Sequence, residues 1–280
     1  MSVKMKQSGR NKWYRNKAVL TVYLVLRALV ILTGIRAVFR RDFESMFLCV
    51  LTLVLLVLPS ILEKQLRIEL PGTFEVIILI FIYAAEILGE INNFYIIVPH
   101  WDTMLHTFNG FGCAAIGFAM VDMLNRSEHF SFRLSPLYLA IAAFCFSMTI
   151  GICWEFFEYG MDTIFHKDMQ KDTVITELAS VTLEEARNNR VVRIHDISDV
   201  IIVHSDGAEE SLGVGGYLDI GLHDTMKDLL VNLVGAVVFS IVGFVYVKQR
   251  GKGKFAARFI PQVIMENMED SQTESEEGIE

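Results

Sequence analysis

Residues 45–62 read SMFLCVLTLVLLVLPSIL, a run without one charged side chain. A hydrocarbon core about 30 Å thick is crossed by roughly 20 apolar residues of α-helix. The stretch therefore reads as a transmembrane helix, and its neighbours repeat the pattern. Upstream, 18–39 is apolar apart from Arg27 and Arg36. Downstream, similar runs cover about 74–98, 100–124, 136–159 and 225–247. With 52% hydrophobic residues and a mean hydropathy of +0.41, the whole composition agrees. The expected fold is an all-α polytopic membrane helix bundle of about six transmembrane helices with a small mixed extracytoplasmic insertion.

The domain reading follows from where polar residues collect. Residues 1–17 form a basic cytoplasmic N-terminus holding Lys4, Lys6, Arg10, Lys12, Arg15 and Lys17. Helices 1–5 occupy 18–159, a polar extracytoplasmic segment follows at 160–222, helix 6 occupies 223–248, and 249–280 is a cytoplasmic tail. No short h-region with a small-residue cleavage site follows the basic start, so the first span is read as uncleaved. Lys64, Arg126, Lys248, Arg250 and Lys252 flank spans on the side of the N-terminus, which the positive-inside rule assigns to the cytoplasm. Arg40 and Arg41 fall on the other side, a mild violation. The expected location is the plasma membrane with both termini inside.

The net charge of −8 does not describe an acidic surface. Residues 262–280 hold seven acids and no Lys or Arg, so this tail accounts for nearly all of it. Too little apolar area is available there to offset ordering entropy, and the tail 249–280 is expected to be disordered. Basic residues flank hydrophobic runs and form no separate patch, so no nucleic-acid partner is implied. Cys49, Cys113, Cys145 and Cys153 all lie in apolar runs and read as small buried hydrophobes, not as a disulfide framework.

The segment 160–222 carries twelve acids against five Lys or Arg. Residues 176–188 look helical, whereas VVRIHDI (191–197) and DVIIVHSDG (199–207) alternate as short strands do.

Ionisable groups within spans cost roughly 2.5–3.5 kcal/mol each at a helix centre on insertion scales. Here they recur at helical spacing. The sets are Glu86, Glu90 and Asn93; Asp102, His106 and Asn109; Glu155, Glu158 and Asp162; and Asp224, Asp228 and Asn232. At 100° per residue each set follows one helix face. With alternating crossings, all four stripes lie at one depth in the outer half of the bilayer, where a shared wet cavity would satisfy them. A plainer reading stands beside this one. Asp102, Asp162 and Asp224 suit headgroup-level helix caps, and the deeper groups suit a buried structural network.

The strings WDTMLHTFNGFG (101–112), CWEFFEYGMD (153–162) and LDIGLHDTMKDLLVNLVGA (218–236) resemble the YjdF-type family of bacterial membrane proteins. They are similar, more distantly, to VanZ-like proteins. Asp102 and His106, Glu155 and Glu158, and Asp224, Asp228, Asn232, Gly235 and Ala236 carry the resemblance, which spans roughly 75–248. The insertion at about 167–216 departs from the short connection expected of the family. The resemblance implies a membrane bundle and brings no reaction with it.

Three function classes remain. The first is an enzyme or binding site for a lipid or lipid-linked small molecule, with membrane lipids as partners. His106, Glu155, Glu158 and Asp228 would then hold a divalent metal, the only cofactor the side chains suggest. Without metal, Glu155 and Glu158 would act as an acid–base pair with His106. Asp102, Asp224, Asn232, Glu86 and Glu90 would orient these groups. The second class is a proton-coupled transporter, which the apolar inner halves of the spans disfavour. The third is a non-catalytic assembly protein.

Overall fold

The computed structural model describes residues 17–66, 68–126, 134–186, 188–249 and 256–263. Eight α-helices are described: α1 Lys17–Arg40, α2 Phe43–Leu55, α3 Leu58–Leu66, α4 Gly72–Tyr83, α5 Phe94–Ile97, α6 Trp101–Arg126, α7 Pro136–Phe165 and α8 Leu222–Lys248. Five helices are long and apolar enough to cross a membrane. They are α1, the stretch Phe43–Leu66, α6 as far as Asp122, α7 and α8. The helical membrane-bundle expectation holds.

The turn between the first two spans is built by Asp42. Its carboxylate caps α2, accepting the Ser45 N–H at 3.0 Å and the Ser45 hydroxyl at 2.6 Å. Such caps satisfy donors that have no intrahelical partner.

The third span departs from expectation. Instead of one helix over 74–98, twelve residues of α4 pass directly into a π-helix, Ala84–Ile91. Asn92 N–H donates to the Ile87 carbonyl, five residues back, at 3.1 Å. The chain then breaks at Asn93, whose φ of 57° is left-handed, a conformation Asn adopts more readily than most residues. After the break the Tyr95 ring folds onto Gly89, where a Cβ would come within 2.4 Å of it. Glu86 and Glu90 therefore sit on a π-helix, and Asn93 leaves their stripe.

The molecule divides into two compact units, Met1–Thr149 with Asn232–Glu280, and Ile150–Val231. The first holds two apolar cores. One joins α1, α2 and α4 through Tyr23, Val30, Leu56, Leu79 and Ile82. The other joins α4, α6, α7 and α8 through Phe74, Phe118, Leu139, Ala143 and Phe239. Ile260, from the segment after α8, completes this second core. That segment forms a short 3-10 turn, Ala256–Arg258, and then strand β8, Gln262–Val263. β8 pairs antiparallel with β1, Ile68–Glu69. Residues 256–263 are thus packed, contrary to the disorder expected of 249–280. Residues 250–255 and 264–280 lie outside the described ones, as do 1–16.

Backbone contact draws α6 and α8 together in this unit. A Cβ on Gly110 would lie 2.1 Å from the Asn232 carbonyl oxygen, and one on Gly235 would lie 2.0 Å from that of Thr107. Small residues at such crossings let helix backbones approach in membranes, where apolar burial supplies no preference for helix over lipid.

The second unit contains the later part of α7, the start of α8 and the polar segment between them. Its strands form three antiparallel pairs: β2 Val174–Ile175 with β7 Tyr217–Leu218, β3 Leu178–Ser180 with β4 Val192–Ile194, and β5 Ile201–Val203 with β6 Glu209–Ser211. The strands expected at 191–197 and 199–207 are present. The helix expected at 176–188 is not: Leu178–Ser180 is paired as a strand, and turns follow it. Strand pairing overrode a weak local helix preference. Helix α7 also runs six residues past Tyr159, so Asp162 is helical.

Candidate functional site

Helix α6 places Asp102 and His106 one turn apart, and the structure brings them together. The imidazole Nε2 lies 3.4 Å from Asp102 Oδ1, with the His106 side chain 11% exposed. An Nε2–H facing the carboxylate leaves Nδ1 as the lone-pair nitrogen. Carboxylate partners orient metal-binding or basic histidines in this way.

One turn deeper the stripe becomes structural. Asn109 Nδ2 reaches Asn232 Oδ1 at 3.5 Å, and Cys113 Sγ lies 3.4 Å from Asn109 Oδ1. Ser147 of α7 donates its hydroxyl to the Gly110 carbonyl at 2.7 Å. Asn232, 1% exposed, also directs Nδ2 at the Ser147 carbonyl at 3.5 Å. Asn232 therefore ties α6, α7 and α8 together, a role the sequence reading did not give it. Glu86 is half-buried and Glu90 exposed.

In the second unit Glu155, Glu158 and Asp228 are all buried, Asp228 at 1% exposure. Glu158 Oε1 accepts the Trp154 indole N–H at 2.8 Å. Trp154 is thus a partner of a candidate acid. Lys227 Nζ lies 3.3 Å from Asp224 and 3.8 Å from Asp228.

Asp162 and Asp224 hold the polar segment to the helix ends. Asp162 accepts the N–H groups of Met169 and Gln170 at 2.6 and 2.8 Å, and Asp224 accepts that of Lys171 at 2.9 Å. Gln170 reaches the Thr225 hydroxyl at 2.5 Å. These acceptors serve amides of the loop after α7, not first-turn N–H groups of a helix, so the two aspartates anchor the segment instead of acting as the helix caps expected of them.

Sequence reasoning passed over Asp219, which is buried and accepts three backbone donors, Thr173 at 2.7 Å, His223 at 2.7 Å and Gly221 at 3.2 Å. An Asp just before a helical run is the signal that could have found it. Burial raises its pKa, but the three donors outweigh burial and the net shift is downward. Asp199 is also held low, first by the Ser211 hydroxyl and then by the Gly213 and Val200 N–H groups. Asp172 moves the other way, raised first by burial and then by the charges of Asp168, Asp219 and Asp162.

A carboxylate depressed in the folded state contributes stability above its unfolded pKa and loses it as pH falls through the folded one. The segment held by Asp219 and Asp199 should therefore loosen on acidification below the ordinary Asp range, whereas Asp172 acts in a separate, higher window, where protonation as pH falls through its raised folded pKa relieves its burial. Asp219→Ala should remove about 1–2 kcal/mol of local stability at neutral pH, by orphaning amide donors. Hydrogen exchange at Thr173 and His223 would read it as faster amide exchange. Unchanged protection in the variant would show that the three bonds do not hold the segment.

No curated protein and no solved structure matches the chain. A family model described as a predicted membrane protein, DUF2238, matches residues 18–183. That match covers the first five expected spans with the Asp102–His106 and Glu155–Glu158 motifs, and stops before the motif at 218–236. More than half of the sequence lies within it, and the YjdF-type resemblance is a likeness to this same family, so the chain belongs to the DUF2238 family of predicted membrane proteins.

Proposed function

We propose that this membrane protein binds a divalent cation through His106, Glu155, Glu158 and Asp228 and acts on a lipid or lipid-linked substrate at the outer face of the plasma membrane. The observation that carries the reading is burial of ionisable side chains within helices of membrane-crossing length. Such groups are costly to insert, and in membrane proteins they mark sites. His106 and Asp228 stand one to two turns after the starts of α6 and α8, and Glu155 and Glu158 two to three turns before the end of α7. In a chain that crosses alternately, those ends share one face. Carboxylate oxygens with one imidazole nitrogen suit a hard or borderline divalent ion. A bound ion would polarise a phosphoryl or carbonyl oxygen, or lower the pKa of a water. Asp102 orients His106 in this reading. The basic flanks support cytoplasmic termini.

The test is elemental analysis of the detergent-purified protein with His106→Ala, Glu155→Gln and Asp224→Asn prepared in parallel. Stoichiometric metal is expected in the wild type and in Asp224→Asn, whose side chain is engaged with the Lys171 backbone. It should be lost in the other two. A well-folded wild type that holds no metal after dialysis against micromolar zinc or manganese overturns the reading.

A further inference from the structure

One cavity in the first unit lies apart from the polar stripes. A crevice of about 530 Å³ runs along α6 and α8, lined by Thr103, Met104, Phe108, Phe111, Val238 and Phe259, with the exposed His100 at one end. Its volume falls in the range of roughly 300–1,000 Å³ usual for small-molecule sites. Its walls are nearly all apolar carbon, and it lies along two helices of membrane-crossing length.

Thr103 supplies a second observation. Its hydroxyl is buried and has no hydrogen-bond partner among the described residues. The cause lies in its position. A helical Thr commonly donates to the carbonyl four residues back, as Thr107 does to Thr103 at 2.7 Å. Four residues before Thr103 stands Pro99, ahead of the first residue of α6, Trp101. No helical carbonyl is available there. Thr occupies two χ1 wells in a helix, so the hydroxyl can turn toward an acceptor in the crevice. An unsatisfied donor inside a bilayer is costly.

We infer that the crevice holds the acyl chain of a membrane glycerolipid, with the ester carbonyl accepting a hydrogen bond from the Thr103 hydroxyl near the His100 end. The chain fills the apolar length between Met104, Phe111 and Phe259. The ester, the acceptor placed at the head of an acyl chain, meets the buried hydroxyl of Thr103 that has no partner among the described residues. This deepens the lipid part of the proposed function but stands on different residues, and neither needs the other to be observed.

The test uses the full-length protein in vesicles containing a phosphatidylcholine with a diazirine in mid-chain, in ester-linked and ether-linked forms. Photolabelled sites are mapped by mass spectrometry. Adducts from the ester lipid should concentrate on Met104, Phe108, Phe111 and Phe259 beyond the level at exposed α1 positions such as Leu24 and Leu32. Thr103→Val keeps the shape and removes the donor. It should reduce labelling by the ester lipid about fivefold, the worth of one net hydrogen bond, and leave the ether lipid unaffected. Val238→Trp, which fills the crevice, should abolish labelling by both. Labelling that simply follows surface exposure, or that Val238→Trp leaves intact, overturns the inference. Equal loss of ester and ether labelling in Thr103→Val overturns the assignment of the ester. Metal content of Thr103→Val, expected at the wild-type level, reports on the cation site separately.

Discussion

Gly235→Val is expected to abolish the folded core of the first unit, seen as loss of a monodisperse peak and of a cooperative melt in detergent. A Cβ at 235 would lie 2.0 Å from the Thr107 carbonyl oxygen and 2.8 Å from the Phe111 nitrogen. Carbon–oxygen contacts between helices settle at about 3.3–3.6 Å, so α6 and α8 would have to part by more than an ångström. Backbone atoms cannot rotate aside as side chains do. Parting would loosen the edge-to-face pair of Phe111 with Phe239, now at 5.1 Å, and the Asn109–Asn232 bond. Overpacking costs about 1–3 kcal/mol even where side chains can yield. Here about 4 kcal/mol or more is expected, against a total stability of roughly 5–15 kcal/mol. Gly235→Ala and Gly110→Ala should each destabilise less, and together by less than the sum, because one separation relieves both clashes. Strict additivity, or a wild-type melt for Gly235→Val, would show that the close crossing is not what holds these helices.

Ile260→Ala is expected to cost about 3 kcal/mol, the usual range for a buried Ile truncated to Ala being about 2–5 kcal/mol. Ile260 is 2% exposed, in a core with Ile68, Leu70, Phe74, Phe118 and Phe239. Phe259 beside it meets the Phe111 ring edge-on at 5.5 Å. A thermal melt in detergent would read the loss as a lower midpoint. A shift no larger than that of an exposed α1 substitution such as Leu32→Ala would show that the segment after α8 rests on the core without supporting it.

The spans were legible because bilayer thickness imposes a length on apolar runs, and 45–62 satisfies it without a charge. The buried states of Glu155, Glu158 and Asp228 followed from their positions within such runs. What escaped reading depended on tertiary partners. Nothing local in AAEILGEI at 84–91 announces a π-helix. Ile260 stood in text polar enough to pass for a tail, and its place in the core is set by Phe74 and Phe239. Residues 178–180 became a strand only by pairing with 192–194. Asn232 had the right spacing for a site stripe, yet its bonds run to Asn109 and Ser147.

The pairing of β1 with β8 bears on biosynthesis. Ile68 and Glu69 emerge from the ribosome well before their partners Val263 and Gln262, which follow α8. Contacts so far apart in sequence form slowly, because a long loop must close before they reward it. The core around Phe74 therefore waits, with one wall missing, while the remaining helices are threaded into the bilayer. That wall is supplied only when β8 reaches β1 and brings Ile260 against Phe74 and Phe239.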